Sequence, residues 1–142
     1  MAQEQSPLME SVRTTISGFT SYRLRTGQLS FILHRLAGLG TLLFLTAHIL
    51  DTSTVYFFPQ LYTHAINLYR TTPMMLLEIV LVFCVIYHGV NGARIALFDL
   101  FSPKWWRSGP QEKTALITLA IAIVLWLPAA FWMGRNIVIY NF

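Results

Sequence analysis

The chain has 142 residues, of which 55% are hydrophobic and only 11% are charged. Because an ordinary soluble domain carries about 25% charged residues, this composition indicates an integral membrane protein with little room for polar catalytic machinery. The length allows one domain. A net charge of +4 from so few charged residues does not indicate a nucleic-acid surface, and the single cysteine, Cys84, excludes a disulfide framework.

Three apolar stretches are long enough to cross a lipid bilayer. A transmembrane helix needs about 20 mostly apolar residues to span a hydrocarbon core of about 30 Å. The stretches cover about residues 31–58, 73–101 and 115–134, with an outer loop between the first two. Pro128 is expected to kink the third helix. The sequence thus predicts an all-α membrane domain over residues 30–142, preceded by a polar segment, residues 1–29.

The basic residues predict how these helices are oriented. Of the 10 lysines and arginines, only Arg70 and Arg135 fall on one side of the predicted spans, and the others fall on or near the opposite side. Since cytoplasmic loops carry the excess of basic residues, the N-terminus is expected inside and the C-terminus outside. Residues 1–29 lack the apolar core of a cleaved signal, and Glu4 and Glu10 disfavour a mitochondrial transit peptide. We therefore expect a bacterial plasma membrane rather than a mitochondrial inner membrane.

Ionisable side chains inside a membrane span are costly and usually face a cavity, a partner or a cofactor. His34 and His48 of the first span are 14 residues apart on one helical face. This spacing is about 21 Å along the axis at about 1.5 Å per residue, so the two imidazoles lie towards opposite membrane surfaces. Ionisable residues of the first two spans include His34, Arg35, His48, Glu78, His88, Arg94 and Asp99.

His88 and Gly92 are four residues apart and share a helical face. A glycine one turn from a histidine leaves a flat gap, through which a planar macrocycle can approach the helix backbone. The alternative for His88 is an interhelical hydrogen bond worth about 0.6 kcal/mol. For Gly38 and Gly40 the simplest explanation is close helix packing. From the residues alone, both interpretations of His88 stay open.

Two motifs occur in order on the first two predicted helices: SFILHRLAG, residues 30–38, and HGVNGARIALFD, residues 88–99. Together they resemble the motifs of the cytochrome b membrane-anchor subunit of succinate dehydrogenase, the C subunit of complex II. The resemblance covers residues 30 to about 106, and the third helix matches only by its hydropathy.

The resemblance implies a haem site. His88 is similar to the axial ligand of haem b, whose second imidazole comes from a second anchor subunit. By the same resemblance, His34 and Arg94 lie near the haem propionates, and Asp99 belongs to a polar cluster beneath them. Gly92 is the glycine of the motif on the second helix.

The resemblance also implies a quinone site, in which Arg35 and Ser30 take part. Three positions depart from the family pattern. Many members have the quinone serine four residues before the arginine, where this chain has Phe31. The usual serine or threonine before the glycine is Ala37, and a second histidine after the arginine of the second helix is replaced by Ile95.

His48 is similar to a histidine of the two-haem members of the family. That similarity implies a second haem near the outer surface. The complex would therefore contain either one haem or two. The alternative for His48 is a hydrogen bond to Asp51, which lies one turn further along the helix.

These resemblances predict a membrane-anchor subunit of a succinate:quinone oxidoreductase, with no activity on its own. Its partners would be a second anchor subunit, an iron–sulfur subunit, a flavoprotein subunit and the quinone. One alternative is the anchor of a quinol:fumarate reductase, because the direction of electron flow depends on the quinone and the soluble subunits. Another is a non-redox scaffold or transporter subunit whose histidines only join helices.

Overall fold

The structure is a computed structural model that describes residues 9–14, 17, 26–101, 103–106 and 108–141. After a short helical segment at residues 9–14, four helices follow one another from Thr26 onward: α1 (Thr26–Phe57), α2 (Pro59–Tyr69), α3 (Thr72–Phe101) and α4 (Ser108–Asn141). A 3-10 turn, Pro103–Trp106, joins α3 to α4. Three of these helices are long and apolar enough to cross a membrane, and the described ranges contain no strand. The predicted all-α fold with three transmembrane helices is confirmed.

The helices extend beyond the apolar stretches that predict them. α4 begins at Ser108 and ends at Asn141, whereas hydropathy marks only its middle part. Its polar first turns accommodate Pro110, because the first backbone N–H groups of a helix need no intrahelical partner. The helix continues on both sides of Pro128. Most of the predicted polar segment 1–29, including Glu4, Arg23 and Arg25, lies outside the described residues.

The predicted outer loop contains a helix, α2. Phe58, with φ −147° and ψ 72°, separates α2 from α1, and Pro59 occupies the first turn of α2. The helix turns four half-buried side chains towards α1 and α3: Tyr62, Ala65, Ile66 and Tyr69. Their spacing of three and four residues is that of an amphipathic helix. The Tyr69 hydroxyl donates a hydrogen bond to the Asp51 carboxylate of α1, which ties the end of α2 to the bundle.

α3 is the central helix and packs against both α1 and α4. The core is narrow and consists of Ala37, Tyr87 and Ala122, one residue from each long helix. Trp126 of α4 donates from Nε1 to the carbonyl oxygen of Ile79 at 3.0 Å. Most large apolar side chains are exposed, as expected for surfaces that face lipid or other subunits.

The alternating chain direction defines two ends of the bundle. The N-terminal end contains the start of α1, the end of α3 and the start of α4, and Gly27 there faces the Gln111 side chain. The opposite end contains Phe57, α2 and the start of α3. The side of the membrane that each end faces stays a prediction.

Candidate functional site

The two histidines of the motifs meet where α1 contacts α3. The imidazole rings of His34 and His88 are stacked, with centroids 4.2 Å apart and planes inclined by 5°. Both side chains are half-buried. The resemblance places both residues near one haem, and the structure brings them into direct contact.

Each of these histidines lies over a glycine of the other helix. A β-carbon built on Gly38 would lie 2.7 Å from Cε1 and 2.9 Å from Nδ1 of His88, whereas one built on Gly92 would lie 3.7 Å from Cε1 of His34. The gap at Gly92 is therefore beside His34, and the closest approach to His88 is at Gly38. Gly40 similarly faces Cys84, with 3.0 Å from its built β-carbon to Sγ. As predicted, Gly38 and Gly40 allow close packing.

His88 is held in one tautomer by its neighbour. Its Nδ1 lies 3.2 Å from the carbonyl oxygen of His34. A carbonyl oxygen only accepts, so Nδ1–H donates and Nε2 is the ring nitrogen left to bind a metal. Among the described residues, no hydrogen bond involves Nε2. This is the arrangement of a metal-binding histidine, whose other ring nitrogen donates to a backbone carbonyl.

A buried polar cluster, which we call the Ser30 cluster, lies towards the N-terminal end between α1 and α3. It consists of Ser30, Tyr87, Asn91 and Arg94, with exposed fractions of 7%, 1%, 1% and 9%. The Ser30 hydroxyl lies 3.3 Å from the Tyr87 hydroxyl and donates to Oδ1 of Asn91 at 3.3 Å. Arg94 donates from Nη1 to the same hydroxyl at 3.5 Å. Ser30 therefore holds the arginine in place.

Two buried nitrogen atoms near this contact lack partners. Nδ1 of His34 and Nε of Arg94 have no hydrogen-bond partner in the part of the chain that the structure describes. A buried polar group without a partner costs about 1–3 kcal/mol, so a partner from outside this chain is expected there. A carboxylate of haem would accept a hydrogen bond from Arg94 Nε, and from His34 Nδ1 in the tautomer that carries the proton on that nitrogen. Within the described ranges, no group of three or more His, Cys, Asp or Glu side chains could hold a bare metal ion.

The two predicted quinone residues do not lie together. Arg35 is exposed, and its guanidinium carbon lies 4.4 Å from the ring centroid of Phe31, one turn earlier. Ser30 is five residues before Arg35, and at about 100° per residue the two point about 140° apart around the helix. Ser30 faces Arg94 inside the bundle, whereas Phe31 and Arg35 form an outward-facing pair.

Asp99 also lies apart from the Ser30 cluster, although the resemblance places it in a polar cluster beneath the haem. The Asp99 side chain is exposed, and its Oδ1 accepts a hydrogen bond from Nε1 of Trp106 at 2.9 Å. Phe98 packs edge-on against Trp106, with ring centroids 5.3 Å apart. Asp99 thus stabilises the turn between α3 and α4.

His48 lies towards the opposite end, in an exposed position on α1. Its ring is stacked with Phe44 at 5.6 Å, and it lines a cavity of about 290 Å³ between α1, α2 and α3. Asp51 and Glu78 line the same cavity. Among the described residues, His48 and Asp51 do not form the hydrogen bond that is the alternative to haem binding. The Asp51 carboxylate instead accepts a hydrogen bond from the Tyr69 hydroxyl.

Tyr87 and Asn91 are site residues that the motifs did not reveal. The signal is a buried stripe on α3, formed by Tyr87, Asn91, Arg94 and Phe98 at steps of four, three and four. Such a stripe identifies the face of a helix that contacts its neighbours. Polar residues in that stripe are the ones that need buried partners.

Comparison with known proteins shows the family of this chain. Residues 9–129 match a family described as "Succinate dehydrogenase/Fumarate reductase transmembrane subunit". The chain is also 30% identical, over 133 residues, to "Succinate dehydrogenase 2 membrane subunit SdhC" of Mycobacterium tuberculosis (strain ATCC 25618 / H37Rv). That match covers 89% of this chain and 94% of the relative. The chain therefore belongs to the family of transmembrane subunits of succinate dehydrogenase and fumarate reductase, which confirms the cytochrome b anchor that its two motifs predict.

Proposed function

We propose that this chain anchors a succinate:quinone oxidoreductase, binds haem b through His88 and contributes Arg35 to the quinone-reduction site. Its partners would be a second anchor subunit, an iron–sulfur subunit and a flavoprotein subunit. The bacterial source of the relative supports a bacterial plasma membrane. Catalysis would belong to the whole complex.

The observation that carries the proposal is the hydrogen bond from His88 to α1. The 3.2 Å contact between Nδ1 and the His34 carbonyl oxygen leaves Nε2 as the only nitrogen available to a metal. It also fixes the orientation of the ring, because the accepting carbonyl belongs to a helix backbone. One imidazole from this chain suits haem iron, provided that a partner subunit supplies the other axial ligand.

Arg94 and His34 would hold the haem carboxylates. Arg94 is held by Ser30 and has a buried Nε without a partner in the described part of the chain. A charged hydrogen bond to a carboxylate would neutralise this buried cation, and such bonds are roughly twice as strong as neutral ones. When bound, haem b would supply a one-electron carrier, and His88, the burial of the site and the charge of Arg94 would tune its reduction potential.

Arg35 would bind the quinone head group at the surface of this chain. Its guanidinium is exposed beside the Phe31 ring at the N-terminal end. A guanidinium offers five fixed donors to carbonyl oxygens, and an adjacent aromatic ring offers a surface for a flat head group. Because Arg35 points outward, other subunits would complete the quinone site.

A second haem at His48 is the further candidate. His48 is about 21 Å along the helix axis from His34, too far to touch the same haem. The cavity beside it and the absence of a His48–Asp51 bond among the described residues both favour a ligand there. The second axial ligand would come from a helix of a partner subunit.

Visible spectroscopy of the purified complex tests the central assignment. His88→Ala should lose the b-type band of one haem from the reduced-minus-oxidised spectrum. The matched control is His64→Ala, because His64 is exposed on α2. A wild-type spectrum and haem content in His88→Ala would refute the haem assignment. A wild-type complex without any haem would also refute it and would leave the chain as an anchor without haem.

A further inference from the structure

We infer that Gly38 is a positioning residue for His88: its missing side chain lets the imidazole seat against α1, and this contact sets the properties of the haem. The inference rests on the proposed haem ligation by His88. It goes further, because it gives Gly38 a role in positioning His88, the proposed haem ligand, although Gly38 does not bind the iron itself.

The contact leaves no room for even one methyl group. An alanine β-carbon at position 38 would lie 2.7 Å from Cε1 and 2.9 Å from Nδ1 of His88. Non-bonded carbon atoms are most stable at about 3.5–4.0 Å, so the ring would have to move by most of an ångström. The backbone of α1 cannot yield easily, because residue 38 lies inside a 32-residue helix.

The imidazole meets α1 at three points. It stacks on His34 at 4.2 Å, donates to the His34 carbonyl oxygen at 3.2 Å, and lies against Gly38. A methyl group at position 38 pushes the ring away from α1. The 3.2 Å bond is already at the long end of the N–H···O range, so this movement breaks it.

Loss of this bond changes the ligand itself. The bond from Nδ1–H to a backbone carbonyl fixes the tautomer and raises the basicity of the ligating nitrogen. Without it, the ring is free to turn about its side-chain torsions, and Nε2 no longer has a fixed direction. The iron would then be bound more weakly or at a changed reduction potential.

Two other glycines provide matched controls. Gly89 is next to His88 on α3, and a built β-carbon there meets nothing within 4 Å. Gly40 lies half a turn beyond Gly38 on α1 and faces Cys84, 3.0 Å from Sγ, rather than a histidine. Gly89→Ala therefore reports the effect of alanine on helix formation, and Gly40→Ala reports the effect of a methyl group added between α1 and α3 that presses on Cys84 and not on His88.

The experiment compares the three alanine variants in the purified complex. The readouts are haem content, the low-spin signal of ferric haem in electron paramagnetic resonance, and the reduction potential. Gly38→Ala should lose the low-spin signal of the His88 haem in most complexes, or shift its g-values and potential. Gly89→Ala and Gly40→Ala should keep the wild-type low-spin signal and the wild-type reduction potential. A wild-type signal and potential in Gly38→Ala, or an equal change in Gly40→Ala, would overturn the inference.

A double variant separates this inference from the proposed function and from general misfolding. If the Gly38→Ala complex fails to accumulate, Gly38→Ala/His88→Ala should accumulate as well as His88→Ala alone, because the clash is gone. Failure of the double variant to recover would show that alanine at position 38 acts elsewhere. Full retention of haem by His88→Ala would instead refute the haem ligation on which the inference depends.

Discussion

Removing the Ser30 hydroxyl tests whether this residue serves the quinone or the interior of the bundle. In Ser30→Ala, Arg94 loses the acceptor at 3.5 Å, and Tyr87 and Asn91 lose their 3.3 Å contacts with the hydroxyl. All three partners are at least nine-tenths buried, so water does not readily replace the lost oxygen. The structure therefore predicts a defect in stability.

The size of the defect follows from the bonds that are lost. Leaving a buried polar group without its partner costs about 1–3 kcal/mol. Because the three contacts are long and the Tyr87 hydroxyl keeps the Ser30 carbonyl oxygen as an alternative acceptor at 3.4 Å, we expect a total of about 2 kcal/mol. Quinone binding should change little, since Ser30 points about 140° away from Arg35.

Two measurements on the purified complex separate these effects. Thermal unfolding followed by haem absorbance should show a lower melting temperature for Ser30→Ala, while KM for quinone stays near the wild-type value. Ser53→Ala is the matched control, because Ser53 is exposed and, among the described residues, its hydroxyl bonds only to the Leu50 carbonyl of its own helix. A raised KM with unchanged melting temperature would refute this reasoning and return Ser30 to the quinone site.

Three further substitutions test other parts of the account. Arg35→Leu should slow quinone reduction while succinate oxidation with a soluble electron acceptor survives, because a leucine offers no donors; wild-type rates in both assays would exclude Arg35 from the quinone site. His48→Ala should lower the haem content from two per complex to one with the His88 haem intact, and a single haem in the wild type would end the two-haem proposal. Tyr69→Phe removes the donor to Asp51 and should speed hydrogen exchange in α2, whereas unchanged exchange would mean that this bond does not hold the helix.

Hydropathy predicts the three membrane helices well, because each is long and strongly apolar. It misses α2, which has only 11 residues and alternates apolar and polar faces. Pro59 at its start and the spacing of Tyr62, Ala65, Ile66 and Tyr69 are the signals that predict such a helix. A hydropathy average over about 20 residues does not detect that pattern, because the apolar and polar positions cancel.

The motifs contain the residues that meet between α1 and α3, but they do not predict all of their contacts. The family resemblance implies that Ser30 and Arg35 act together at the quinone, whereas the helical rotation between them turns one inward and the other outward. The offset between α1 and α3 places His88 over Gly38 and His34 over Gly92. The sequence of one helix alone does not predict this offset, because the offset depends on how the side chains of both helices pack together.

A cryo-electron microscopy map of the intact complex tests the central claim most directly, because it locates the haem iron and its ligands. The account predicts iron bound by Nε2 of His88, with Nδ1 still donating to the His34 carbonyl oxygen and a haem carboxylate beside Arg94. Density for haem iron bound by other residues, with His88 only joining α3 to α1, would contradict it.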